Sequence, residues 1–483
     1  MSKSISGDAP ASASLQLNEL KKYFAANSQR FISELSEFLA IPSVSTDPTL
    51  KSECGRCAAW LLSQLQGLGF AGELRFAETG YPIVLAHNSV GLLNTGPISS
   101  GARRVSIYGH YDVQPCDPLE LWNAPPFSPV LKDGRLYARG AQDNKGQLWY
   151  VIKALEFLQT SGALANMNIA LCVEGQEENG SAVLAQNLAA LKTELKADTL
   201  MVCDTGTLSK NVATITMGLR GIAHFTVTVR GPNKDLHSGV HGGVARNPAQ
   251  ELVRLLAALH DESGRVAVAG FYNGVTEPTA DETSLAVAGA PTEGEYQQLV
   301  GACASGGERD YALAVRGGLR PTLEFNGVHS GYGGTGSKTI IPALAFAKIS
   351  MRLVAGQDGA QVLKMVCDHL IERAIGVTLE ITEKLVGGPA IIVSPQSESV
   401  RRIVPALTEM MGCAPIFRWE GASIPIVSEL TKVSGAEPLM VGFGLEEDNI
   451  HAPNESFAIE QFERGFIYVV QALLALTKVV QRD

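Results

Sequence analysis

The stretch Ile107-Tyr108-Gly109-His110-Tyr111-Asp112-Val113-Gln114-Pro115 sets a histidine and an aspartate two residues apart at the end of an apolar run. If the backbone stays extended to Asp112, the two-residue period of a strand puts both side chains on one face. A carboxylate so placed can hold the tautomer of an imidazole and raise its basicity, which a metal-ligating histidine needs. Alone, a strand-end His-x-Asp is more often a hydrogen-bonded surface pair. Three further acidic clusters follow: Asp143-Asn144-Lys145-Gly146, Glu174-Gly175-Gln176-Glu177-Glu178, and Asp204-Thr205-Gly206. Each has a bland reading, with Asp143 as a helix N-cap, Glu177 and Glu178 as a first-turn charge pair, and Asp204 as an Asx-turn. Four clusters in succession are harder to dismiss, because converging carboxylates repel one another unless cations neutralise them. A fifth segment, Gly442 to Glu455, adds His451 after the apolar run Leu439 to Val441. Two histidines and three carboxylates form a nitrogen and oxygen set suited to zinc, manganese or cobalt.

The elements that must carry these groups alternate in type. Leu15 to Leu39 reads as a helix, with Leu20, Phe24, Phe31, Leu35 and Phe38 on one side and a stop at Ile41-Pro42. Strands are expected within Gly72 to Asn88, at Arg104 to Tyr108, Asn168 to Val173 and Thr199 to Cys203. Helices are expected at Asp143 to Leu158 and Ser181 to Leu195. This alternation implies an α/β fold with a mainly parallel sheet flanked by helices, and ligands in such sheets sit where strand ends meet loops. From about Met217 the pattern changes. Ile222 to Val229 and Ala345 to Leu353 alternate as half-buried strands, while Asn247 to Leu259 and Gly359 to Ile375 read as helices. A smaller α+β domain follows from these, although Ala280 to Glu324, rich in Gly, Ala and charge, yields no element. Metal-type residues flank the block, so the expected division is a first catalytic part over 1–216, an inserted lid and dimerisation domain over 217–393, and a second catalytic part over 394–483.

Composition limits the function. The chain has 483 residues, 45% of them hydrophobic, which is ample for two or more cores. A formal net charge of −10 disfavours a nucleic-acid surface. No run of eighteen apolar residues occurs, and the segment before Leu15 is small and polar, so a cytoplasmic protein without membrane attachment is expected. Among the eight cysteines, Cys54 and Cys57 form a Cys-x-x-Cys within a helical pattern over Ser52 to Leu68, but no second pair completes a zinc site.

The chain resembles the dinuclear metallopeptidases that include aminoacylases, glutamate carboxypeptidase, succinyl-diaminopimelate desuccinylase and the carnosinase-like cytosolic dipeptidases, and the last group most. The resemblance rests on Gly109 to Pro115, Gly140 to Gly146, Glu174 to Glu178, His237-Ser238-Gly239, Gly336-Ser337-Lys338-Thr339-Ile340-Ile341-Pro342 and the His451 segment, in the family's order. It implies two divalent metal ions per subunit, Zn2+ first and Mn2+ or Co2+ as alternatives. His110, Asp143 and Asp204 would hold one ion, and Asp143, Glu178 and His451 the other. Asp112 would orient His110, Glu177 would act as general base, and the peptide bond after Asp143 would be cis. It further implies that His237 reaches the active site of a partner in a homodimer built through the lid, and that Arg352, Thr339 and Ser423 bind the substrate's carboxylate. Where carnosinase-like enzymes carry a histidine before a Gly-Gly-Pro-like segment, this chain has Leu385-Val386-Gly387-Gly388-Pro389. The activity so implied is hydrolysis of the amide bond of a dipeptide or short peptide. The alternatives are an N-acyl-amino-acid amidohydrolase or carboxypeptidase, and a non-catalytic amino-acid-binding regulatory protein on the same fold.

Overall fold

Apolar runs too short for helices become the inner strands of the first unit. Arg104–His110 is buried at every position, and so is all but the first residue of Asn168–Glu174, as a sheet covered on both faces requires. The computed structural model describes residues 11–88, 103–421 and 424–477, and the chain divides into two compact units. The first comprises Met1–Ile215, Val393–Ile416 and Glu429–Asp483; the second comprises Thr216–Ile392 and Phe417–Ser428.

In the first unit the strands lie in the order Ala71–Arg75, Ile83–His87, Asn168–Glu174, Arg104–His110, Thr199–Val202 and Glu437–Met440. The first two pairings in this order are antiparallel, and the following three are parallel. Parallel strands end at the same sheet edge, and the register sets His110 beside Glu174, Tyr108 beside Val202, and Val202 beside Met440. The loops bearing Asp112, Glu177, Glu178, Asp204 and His451 therefore leave from one edge. Gly442 lets two of them meet, since a side chain there would strike the Thr205 carbonyl at 1.9 Å. Helix Lys145–Thr160 buries twelve of its sixteen residues beneath this edge and packs against Ala11–Leu39 and Ile459–Thr477. Phe24, Phe31, Phe462 and Phe466 join the three helices in an aromatic cluster with Tyr23 and Phe157.

Two expectations need adjusting. The helix after Asp143 begins at Lys145, because Asp143 and Asn144 turn toward the neighbouring loops. The expected helix Ser181 to Leu195 is two short helices, Ala182–Asn187 and Lys192–Leu195. Asn187 is the last residue of the first, its side chain capping the Val183 carbonyl at 2.7 Å, and the chain still buries Leu184, Leu188, Leu191 and Leu195 across the break.

The second unit holds an antiparallel sheet in the order Thr322–Ser330, Leu344–Leu353, Gly221–Arg230 and Thr378–Val386. Alternation along the central strands turns Phe225, Val227, Val229, Ala347, Ile349 and Met351 inward. There they pack with Leu252 and Leu255 of helix Pro248–Ala257 and with Val366 and Leu370 of helix Gly359–Arg373. Residues 280–318, within the stretch whose pattern yields no element, contain helices Ala280–Ala288, Glu293–Val300 and Leu313–Gly318.

Candidate metal centre

His110 is fully buried at the end of its strand. Its Nδ1 lies 3.0 Å from the Asp112 carbonyl and 3.3 Å from Asp112 Oδ1, so this nitrogen carries the proton. The lone pair on Nε2 then faces Asp143 Oδ1 at 3.2 Å and Asp204 Oδ2 at 3.6 Å, with no hydrogen-bond partner of its own. Acceptors facing acceptors in a buried space repel unless a cation or proton lies between them. On the other side of Asp143, Oδ2 lies 2.9 Å from His451 Nε2, which is 3.5 Å from Glu178 Oε2. Glu178 Oε1 is buried and also unpartnered. In each of the two triads, His110, Asp143, Asp204 and Asp143, Glu178, His451, one ligand atom per residue falls within 4.8 Å of the others. The donors thus fit two cations sharing the Asp143 carboxylate.

Backbone and side-chain contacts hold this arrangement. Asp112 is wholly buried and accepts from Ser45 Oγ at 2.6 Å, Glu177 N at 3.2 Å and Glu178 N at 3.1 Å, so it fixes the Glu177–Glu178 turn as well as the imidazole. Asn144 Nδ2 donates to the Cys203 carbonyl at 2.9 Å and to Asp204 Oδ1 at 2.7 Å. Gln114 Nε2 donates to Glu178 Oε2 at 2.7 Å. The Asp143–Asn144 peptide is cis. Gln114, Asn144 and Ser45 carry no charge, and only their position in the fold reveals their part.

Charge is concentrated here beyond what the residues alone can bear. Burial pushes the Glu177 and Glu178 carboxyls above the ordinary glutamate range, with neighbouring carboxylates adding to it and His110 opposing. Burial likewise raises Asp204. Asp143 goes the other way: burial would raise it, but the His110 and His451 imidazoles beside it hold it low. For His110, burial works against the proton, yet Asp204, Asp112 and Asp143 together raise its pKa well above the usual imidazole value. Protons therefore gather where cations would otherwise balance the charge. Glu177 belongs to neither triad, which leaves its carboxylate available for proton transfer.

The remaining residues picked from the sequence lie in the second unit. His237 is exposed, pairs with Ile340 in a two-stranded ribbon, and accepts from Gly239 N at 3.0 Å through its ring. The Thr339 carbonyl accepts from Ser238 N at 3.0 Å, so Thr339 sits beside His237. Arg352 projects from strand Leu344–Leu353 into a cavity of about 600 Å³ that it shares with Arg220, Glu324 and Trp419. Ser423 lies outside the described residues.

A family model for peptidase family M20/M25/M40 matches residues 106–475. The chain belongs to this family. This M20 peptidase is 31% identical over 470 residues to the Cys-Gly metallodipeptidase dug1 of Schizosaccharomyces pombe, covering 93% of this chain and 96% of the relative. Its fold matches the crystal structure of an M20 family metallo-carboxypeptidase from Sulfolobus solfataricus with a TM-score of 0.78 and 28% identity, covering 92% of this chain and 99% of the other. Human carnosine dipeptidase 1 matches with a TM-score of 0.73 and 26% identity, over 95% and 99% of the two chains.

Proposed function

We propose that this M20 peptidase is a metal-dependent dipeptidase with Glu177 as its general base. The observation that carries the reading is a pair of ligand triads sharing Asp143, with Glu177 beside them and in neither. His110, Asp143 and Asp204 would hold one divalent ion, and Asp143, Glu178 and His451 the other. Zn2+ is placed first for the mixed imidazole and carboxylate set, and Mn2+ or Co2+ would fit the same donors. When bound, such a pair would lower the pKa of a water toward neutrality and polarise the scissile carbonyl. Glu177 would accept the proton of the attacking water as that water's oxygen adds to the carbonyl carbon. It then passes the proton to the amide nitrogen as the carbon–nitrogen bond breaks. Asp112 keeps both the His110 ring and the Glu177 backbone in place during these transfers.

Arg352 is assigned to the substrate's carboxylate through its planar fork, with Thr339 and Ser423 adding hydrogen bonds. A homodimer through the second unit, with His237 reaching the partner's site, completes the reading. In its support, Thr322–Ser330 and Thr378–Val386 are exposed edge strands of that unit's sheet. A cytoplasmic location agrees with eight cysteines that are all free thiols.

The deciding experiment is hydrolysis of alanyl-alanine beside its N-acetylated form, with Zn2+, Mn2+ or Co2+ restored after chelation. Cleavage of the free dipeptide alone supports the proposal. Cleavage of the blocked form alone moves the assignment to the acylase or carboxypeptidase branch, which the Sulfolobus relative also represents. Silence from both with every metal favours the amino-acid-binding alternative. Glu177→Gln should cost roughly 10²- to 10⁴-fold in turnover with bound metal near the parent level, and retained activity refutes the base assignment.

A further inference from the structure

Four residues beyond His451, Glu455 is completely buried and carries a full set of hydrogen bonds. Oε2 accepts from Arg139 Nη1 at 2.9 Å and from Gly140 N at 2.9 Å; Oε1 accepts from Gln142 N at 2.9 Å and Asp143 N at 3.0 Å. The Glu455 carbonyl also accepts from Ala138 N at 3.1 Å. Arg139 is itself buried and donates onward to the Pro115 carbonyl at 2.9 Å. One carboxylate thus orders the backbone of the Asp143 turn, and its own chain carries His451. The other triad shares Asp143 but has two further ties of its own. There Asp204 and His110 are tied through Asn144 and Asp112, and His110 is fully buried, whereas the His451 side chain is 52% exposed.

We infer that Glu455 is a positioning residue that sets the distance between Asp143 and His451, and that the cation position formed by Asp143, Glu178 and His451 depends on it more strongly than the position at His110 and Asp204, which it reaches only through the shared Asp143. The inference rests on the proposed ligand assignment. Replacing the carboxylate with its amide puts an NH2 group against backbone N–H donors and removes the partner of Arg139, a buried charge. The Asp143 turn must then shift relative to His451. Loss of a group that orients ligands typically costs ~10- to 100-fold in metal affinity. Here the larger cost falls on the ion held with His451.

The test is metal stoichiometry and affinity of the full chain, by chelator competition with Zn2+ and by the absorption spectrum of the Co2+-loaded protein. The parent should bind two ions. Glu455→Gln should hold one ion ~10- to 100-fold more weakly and the other with a clearly smaller loss, the Co2+ spectrum changing chiefly for the first. Equal weakening of both ions, or two ions at parental affinity, overturns the inference. If the parent binds no metal, the ligand assignment fails instead. Should Glu455→Gln fail to fold, Arg139→Gln keeps the carboxylate and its three backbone donors. It should weaken the same ion by a smaller factor, and a parental titration of that variant is equally fatal.

Discussion

Asp112 illustrates how a single carboxylate can do two tasks. The two-residue spacing of His110 and Asp112 at a strand end makes its place beside the imidazole legible in the sequence. Its grip on Glu177 N and Glu178 N is not, because it joins residues 65 and 66 positions apart. Asp112→Asn places an amide among donors from Ser45, Glu177, Glu178 and His110, so at least one contact becomes donor against donor. Metal affinity should fall ~10- to 100-fold, the usual cost of a lost orienting partner. Because Glu177 moves with the turn, kcat should stay below the parent value even at saturating Zn2+. Full recovery of kcat on adding metal would confine Asp112 to the imidazole. Glu455 shows the opposite limit: the sequence reveals an acid near His451, but nothing local says that it is buried or which backbone it holds.

At the scale of elements, the helix Ala11–Leu39 is docked by charge as well as by its phenylalanines. Lys153 Nζ lies 2.7 Å from Glu34 Oε2 and 2.8 Å from Glu156 Oε2, and Arg30 also pairs with Glu156. Burial would raise the Glu156 carboxyl, but Arg30 and Lys153 outweigh it and hold it below the ordinary range. A carboxyl depressed on folding stabilises above its unfolded pKa, and that contribution disappears as pH falls through the folded value. Glu156→Gln should therefore cost about 1 kcal/mol near neutral pH. The gap in melting temperature between parent and variant should close as pH drops below about 4.3, the unfolded glutamate value. A gap that is constant across this range would show that packing, not charge, sets the cost. The helix itself was plain from its Phe and Leu spacing, as were the buried strands from their apolar runs. The helices of residues 280–300 are not plain from spacing, because their apolar faces are thin. Yet each opens on a capping box, Thr279 with Glu282 and Thr292 with Glu295, and that signal stands in the sequence as Thr-x-x-Glu.

For the whole molecule, the cation positions join parts of the chain that lie far apart, since His110 and His451 both border Asp143. The first unit is assembled from three separate segments, and all the candidate ligands belong to it. A ligand that binds only the folded state adds RT ln(1 + [L]/Kd), about 2.7 kcal/mol at a hundred times Kd. Chelation should thus lower the melting temperature of the first unit by several degrees. Its tryptophans, Trp60, Trp122 and Trp149, report on it, while Trp419 lies in the second unit. In a Trp419→Phe background, fluorescence follows the first unit alone. Hydrogen exchange locates the effect: after chelation it should quicken at 104–112, 139–146 and 174–178, while Phe225 to Val229 and Ile349 to Leu353 keep their protection. Those second-unit strands owe their order to an apolar core that contains no ligand. Faster exchange in both units would mean that they open as one cooperative body, and no change in either would mean that cations contribute nothing to the fold. The expected pattern, confined to the first unit, ties the metal centre to the loops at one edge of its parallel sheet.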